Sequence, residues 1–208
     1  MKRNLILLAC LLGIGLFLLV GRQGPEEKEQ ETAIKSESLV SVGQSLSALN
    51  DNLPAGEVYD RPDGLPDAAL ICFGEKGSDT GYVFFGTQGV DYLPCMEQYP
   101  EQVNCCGVTA PVSALFPMTS EVMTLSDFFE EIGISEYHYE EEADVALGWV
   151  TFSCGEYTVF INANQRKGED WTYTGTREVR GDAPAVVMDT EIEAANVRFF
   201  EEHFGAGQ

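Results

Sequence analysis

Trp149-Val-Thr-Phe-Ser-Cys-Gly-Glu-Tyr-Thr-Val-Phe-Ile-Asn162 is the stretch whose reading decides the fold. With Gly155 and Glu156 as a two-residue turn, Cys154 faces Tyr157, Phe152 faces Val159 and Val150 faces Ile161. Side chains alternate along a strand, so these six apolar groups share one face, while Trp149, Thr151, Ser153, Thr158, Phe160 and Asn162 share the other. A slip of one residue would turn the apolar set outward, which makes the register self-supporting. An antiparallel hairpin with one buried face is the seed of a mainly antiparallel sheet.

Working outward, residues 134–139 are expected to supply a strand beside the hairpin, with Trp171-Thr-Tyr173 and residues 183–188 adding others. Upstream, residues 68–73 read as a buried strand and residues 81–86 as its neighbour, turning into residues 90–93. Periodicity fails over residues 94–117, which hold three Cys and four Pro, and the expectation there is a long irregular excursion. Glu140-Glu141-Glu142 reads as a solvated turn.

Two helices carry end signals. Thr124 and Asp127 form a capping-box pattern with Met123 and Phe128 at staple positions, Leu125, Phe128, Phe129 and Ile132 make one apolar face, and Gly133 ends the helix. Asp189 or Thr190 caps the last helix, which is expected to turn Ile192, Ala195, Phe199, Phe200 and Phe204 to the core before Gly205 closes it. The fold class expected is α+β: one exported domain over residues 46–208, with a mainly antiparallel sheet and two or three helices, preceded by a transmembrane helix. About 160 residues suffice for one core and hardly for two.

The amino-terminal helix is read from residues 5–20, an uncharged apolar run without Pro, preceded by Lys2 and Arg3 and followed by Gly21-Arg22. At about 1.5 Å per residue it spans roughly 25 Å, at the short end of what crosses a bilayer core. The positive charges before it hold the amino end in the cytoplasm, so residues 1–23 read as an uncleaved signal anchor and everything beyond as extracytoplasmic. A cleaved secretory signal would need small residues after the run, where Leu-Val-Gly-Arg-Gln-Gly stands instead. Leu7-Leu8-Ala9-Cys10 resembles a bacterial lipobox, but too few apolar residues precede Cys10 and too many follow it.

Residues 24–45 read as an acidic stalk. Leu39, Val42, Leu46, Leu49 and Leu53 recur at helical spacing across its end, a stripe expected to pack on the domain. The chain carries 12 Lys and Arg against 34 Asp and Glu, a net charge of −22. A field of that sign repels nucleic acid and anionic lipid, and favours basic proteins and cations. The partners expected are the membrane through residues 5–20, and a basic or membrane protein or a wall glycan; nucleic acid is excluded.

Five Cys lie beyond the apolar run, an odd number. Cys72 and Cys154 sit on expected strands as small apolar groups, and an exported protein could staple Cys95 to Cys105 or Cys106. A thiol enzyme would draw its nucleophile from Cys105 or Cys106 and its base from His138. No metal is expected, because adjacent cysteines are poor zinc ligands, and no cofactor is expected, because the usual hydrolase, zincin and nucleotide signatures are missing. Trp149, Trp171 and Tyr173 could stack on sugar rings. Arg180-Gly181-Asp182 is the tripeptide that integrin ligands display, in an expected loop. The function expected is a membrane-anchored, extracytoplasmic acidic module that binds or assembles without catalysis, the alternative being a tethered thiol-dependent enzyme or redox protein.

Overall fold

The computed structural model of the 208-residue chain describes residues 33–50, 57–60, 71–74, 80–86, 92–142, 147–163 and 177–205. The apolar run at residues 5–20 lies outside them; among the described residues no helix is long and apolar enough to cross a membrane. Residues 171 and 173 also lie outside. Thr32–Gln208 forms one compact unit.

The hairpin forms in the expected register. Strands β7 (Leu147–Cys154) and β8 (Tyr157–Asn162) pair Val150 with Ile161, Phe152 with Val159 and Cys154 with Tyr157. Gly155 sits at φ 62°, the left-handed conformation a tight turn of this kind requires. Around it lie β1 (Glu57–Asp60), β2 (Ile71–Gly74), β3 (Gly81–Phe85), β4 (Gly107–Pro111), β6 (His138–Glu142) and β10 (Pro184–Asp189). Their order is β1-β2-β3-β4-β10-β8-β7-β6, with every neighbouring pair antiparallel. A separate two-stranded ribbon joins β5 (Val122–Thr124) to β9 (Glu178–Arg180).

The protein is a mixed α/β structure on a mainly antiparallel sheet. Its described helices number five rather than two or three: α1 (Leu46–Asn50), α2 (Leu93–Gln98), α3 (Val112–Leu115), α4 (Leu125–Glu131) and α5 (Thr190–Phe204), besides a 3-10 turn at Ser36–Leu39. Three of the five are too short to leave a periodic pattern. The stretch read as irregular therefore contains α2, β4 and α3, and Leu93 opens a helix instead of ending a strand. Residues 105–110, Cys-Cys-Gly-Val-Thr-Ala, are a run of small groups buried on both sheet faces, which shows no alternation. Gly107 belongs there because a Cβ would stand 2.4 Å from the carbonyl oxygen of Val187 on β10.

The strand expected over residues 134–139 starts only at His138 and runs on through Glu140 to Glu142, so the triple Glu is an edge strand and not a turn. Carboxylates on an edge discourage sheet-to-sheet aggregation.

The larger core fills one face of the sheet. Val108, Val150, Phe152, Val159, Ile161 and Val187 meet Leu115 and Phe116 of the α3 end and Leu125, Phe128 and Phe129 of α4. Thr124 caps α4 by accepting from the Asp127 N–H at 3.1 Å, and Gly133 beyond its end lies at φ 69°. On the other face α5 packs over β3 and β10, its start capped by Asp189 through Glu191 and Ile192. There Phe84, Phe85, Tyr92, Met96, Val103 and Phe200 form a second core, and Val83, Cys106, Val186 and Met188 a third, smaller cluster. Ala195 of α5, expected inward, is exposed; the buried position is Asn196.

Residues 33–45, read as the end of a stalk, pack on this body. Ile34 is 3% exposed inside the larger core, Leu39 and Val42 lie against it, and Leu46 and Leu49 enter the second core. Four members of the helical stripe thus face the domain, although they divide between the two sides of the sheet; Leu53 lies outside the described residues.

Candidate functional site

The thiols are the residues with most chemical potential. Cys105 and Cys106 lead into β4 and, being successive residues of extended chain, fall in different clusters: Cys105 in the second core, Cys106 in the third. Cys105 Sγ donates to the Gly107 carbonyl at 3.0 Å. Burial pushes its thiol up to about 11, and hydrogen bonds with Gly107, Ser41 and Val83 offset only part of that rise. Cys95, on α2, is buried in the same core as Cys105, and burial raises its thiol too. Cys154 closes β7 inside the larger core. All four are free thiols, and no bridge from Cys95 to Cys105 or Cys106 is formed in this structure.

His138 stands far from them. Its side chain is exposed on edge strand β6, with Nε2 3.0 Å from Oε1 of Glu140. Four inter-strand steps separate β6 from β4, about 19 Å at the usual spacing. Cys105 or Cys106 and His138 are therefore not brought together. His203 is exposed near the end of α5, its ring stacked on Phe199 at 4.0 Å and its Nδ1 2.8 Å from the Phe199 carbonyl oxygen.

Of the three aromatic candidates Trp149 alone is described. It lies between Glu140 and Asn162 across the sheet, half-buried, and its Nε1 is enclosed with no hydrogen-bond acceptor. Phe160 lies one row away on the same face, opposite Thr151. This is the face of β7 and β8 opposite the larger core, where Phe160 packs against the third cluster and Asn162 is buried.

Arg180-Gly181-Asp182 is folded on itself. Arg180 Nε and Nη2 donate to the two carboxylate oxygens of Asp182 at 3.0 and 3.2 Å, and the buried Gly181 exchanges backbone hydrogen bonds with Ser113 and Glu121. The Arg180 fork holds the Asp182 carboxyl below its ordinary range. A tripeptide whose charges satisfy each other is not displayed as an extended ligand.

Sequence reasoning missed Asn196. Its Nδ2 donates to the carbonyls of Phe84 and Asn104, both at 2.7 Å, and its Oδ1 accepts from the Asn104 N–H at 3.1 Å. One 2%-exposed side chain thus ties α5 to β3 and to the segment before β4. The signal was an amide midway between Ile192 and Phe200 on one helical stripe, where a polar group needs partners to be buried. Among the described residues no three His, Cys, Asp or Glu gather as a metal would require.

Fold and site together define a mixed α/β structure on a mainly antiparallel sheet with free thiols shut inside it. No protein-family profile, curated protein or solved structure matches the chain.

Proposed function

We propose that the protein is a membrane-anchored, extracytoplasmic module that binds or assembles with a basic protein, a membrane protein or a wall component, without catalysis. The observation that carries this reading is the imbalance of charge on the folded unit. Among the described residues the cations are Lys35, Arg177, Arg180 and Arg198, against 21 Asp and Glu. Lys35 Nζ donates to the Ser113 carbonyl, Arg177 lies 4.5 Å over the Tyr139 ring, and Arg180 is paired with Asp182. The excess of carboxylates over these four cations leaves a negative surface whose field steers cationic partners toward it. The apolar run at residues 5–20 supplies the anchor.

The alternative, a thiol-dependent enzyme using Cys105 or Cys106 with His138, draws less support. A nucleophilic Cys needs an electropositive, accessible setting that lowers its pKa, and burial moves Cys105 the other way.

The test uses the full chain in its native membrane, with a photo-crosslinking residue at exposed Glu140 or Ser153 and protease added from outside. Expected are cleavage of the domain from that side and a discrete adduct that weakens as salt rises. Loss of the adduct after wall-glycan digestion would make the partner a glycan. A domain shielded from external protease, or no salt-sensitive adduct from either position, overturns the proposal. Rapid alkylation of Cys105 or Cys106 near neutral pH, slowed by His138→Ala, would favour the enzyme.

A further inference from the structure

Residues 33–50 hold no place in the eight-stranded ladder, yet they cover one thiol of an adjacent pair and leave the other to the sheet. Lys35 N–H donates to the Leu115 carbonyl at 2.8 Å, Lys35 Nζ to that of Ser113 at 2.6 Å, and Ser38 Oγ to that of Ala114 at 2.9 Å. Further on, the Gly43 N–H donates to the Cys105 carbonyl at 2.8 Å, the Cys105 N–H to the Gln44 carbonyl at 2.7 Å, and the Leu46 N–H to the Val103 carbonyl at 2.9 Å. Leu46 and Leu49 of the segment share the second core with Cys105, whose thiol donates to the Gly107 carbonyl. Both main-chain groups of Cys105 are thus engaged by this segment.

Cys106 is held differently. Its N–H donates to the Val83 carbonyl and its own carbonyl accepts from the Asp189 N–H, so it continues the β3-β4-β10 ladder. Among the described residues the segment's strand-like link is the Ser45–Asn104 bridge, and none of the described strand pairs includes it. Elements outside the main hydrogen-bonded ladder are the first to open in a native protein. At rest Ile34, Leu46 and Leu49 keep it closed by filling both cores. A load on the chain before Ala33 reaches the Lys35 bonds before those of Gly43 and Leu46, so the segment is released in order.

We infer that residues 33–50 are a releasable strap, which couples whatever pulls on the amino-terminal segment to exposure of the Cys105 thiol while Cys106 stays shut. The inference rests on the reading of residues 5–20 as an anchor only for the source of the pull. Opening at Cys105 and retention in the membrane are measured separately.

The experiment labels the full chain, purified without denaturant, with N-ethylmaleimide and maps each cysteine by mass over time. Cys105 is expected to react at least about tenfold faster than Cys106 and Cys154, because its opening does not need the sheet to unfold. Ile34→Ala should speed Cys105 further and leave Cys106 and Cys154 unchanged. Equal rates at Cys105 and Cys106, or Ile34→Ala raising both alike, would mean that only global unfolding exposes them and would overturn the strap. Should Ile34→Ala not fold, amide exchange on the natural chain decides: Gly43, Cys105 and Leu46 must exchange before Cys106 and Asp189, and the reverse order is fatal. Carbonate extraction of membranes tests the anchor, so failure there leaves the labelling result intact.

Discussion

At the scale of the residue, the buried polar and ionisable groups carry the sharpest consequences. Cys105 titrates at about 11 in the folded protein because burial disfavours its thiolate. An unfolded Cys titrates near 8.5 to 9, so above that pH the unfolded state loses its proton first and the folded state is left at a disadvantage. Stability therefore falls as pH rises from about 9 to 11, by an amount on the order of 2 kcal/mol. Urea melts of the natural chain and of Cys105→Ala at pH 8 and pH 10.5 check this; the natural chain should lose more, and equal losses would assign the decline to other groups. Asn196 makes a different demand. Asn196→Ala would strand the buried Phe84 carbonyl, at about 1–3 kcal/mol, and would leave the half-buried Asn104 carbonyl and N–H to whatever water reaches them. A drop of about 2 kcal/mol in unfolding free energy is expected, against no measurable change for exposed Ala195→Ser.

At the scale of the element, what could be read in advance depended on whether a segment had one buried face or two. The β7–β8 hairpin and α4 each have one, so their apolar periods showed in the sequence, with Gly155, Thr124 and Gly133 marking the ends. Strand β4 is buried on both sides and opens on adjacent cysteines, with Pro111 at its end, so no period survived to reveal the central strand of the sheet. Of the site, the cysteines were visible as residues but their separation from His138 was not, because distance across a sheet is set by strand order. The Asn196 clamp was hidden for a related reason: its partners lie 92 and 112 residues away. The importance of β4 can be measured through Gly107→Ala. The new Cβ would meet backbone on β10, which cannot rotate aside as a side chain does, and the cost expected is about 3 kcal/mol or more. Gly133→Ala meets nothing within 4 Å and bears only the strain of φ 69°, about 1–2 kcal/mol. Denaturation midpoints should rank the two in that order, and the opposite ranking would mean that β4 and β10 part easily.

At the scale of the whole molecule, charge sets the conditions under which the fold holds. A chain at −22 repels itself when compact, and dissolved salt relieves this as the Debye length shortens from about 10 Å at 0.1 M to about 3 Å at 1 M. Salt also weakens favourable pairs, so the sign of its effect turns on which contribution is larger. Arg180–Asp182, the described ion pair, and the His138–Glu140 contact, charged on both sides only where the imidazole is protonated, have side chains 46% to 73% exposed, and pairs so exposed contribute at most about 1 kcal/mol each. Against them stands a large excess of carboxylates over the four described cations. Repulsion should win, and the melting temperature of the full chain should rise by several degrees between 20 mM and 1 M sodium chloride at pH 7. The same salt should weaken any complex with a basic partner, because that complex draws on the field the salt screens. Stability and binding moving in opposite directions is the signature expected of a surface kept acidic for recognition. A melting temperature that falls with salt would instead make internal ion pairing the dominant role of the charge.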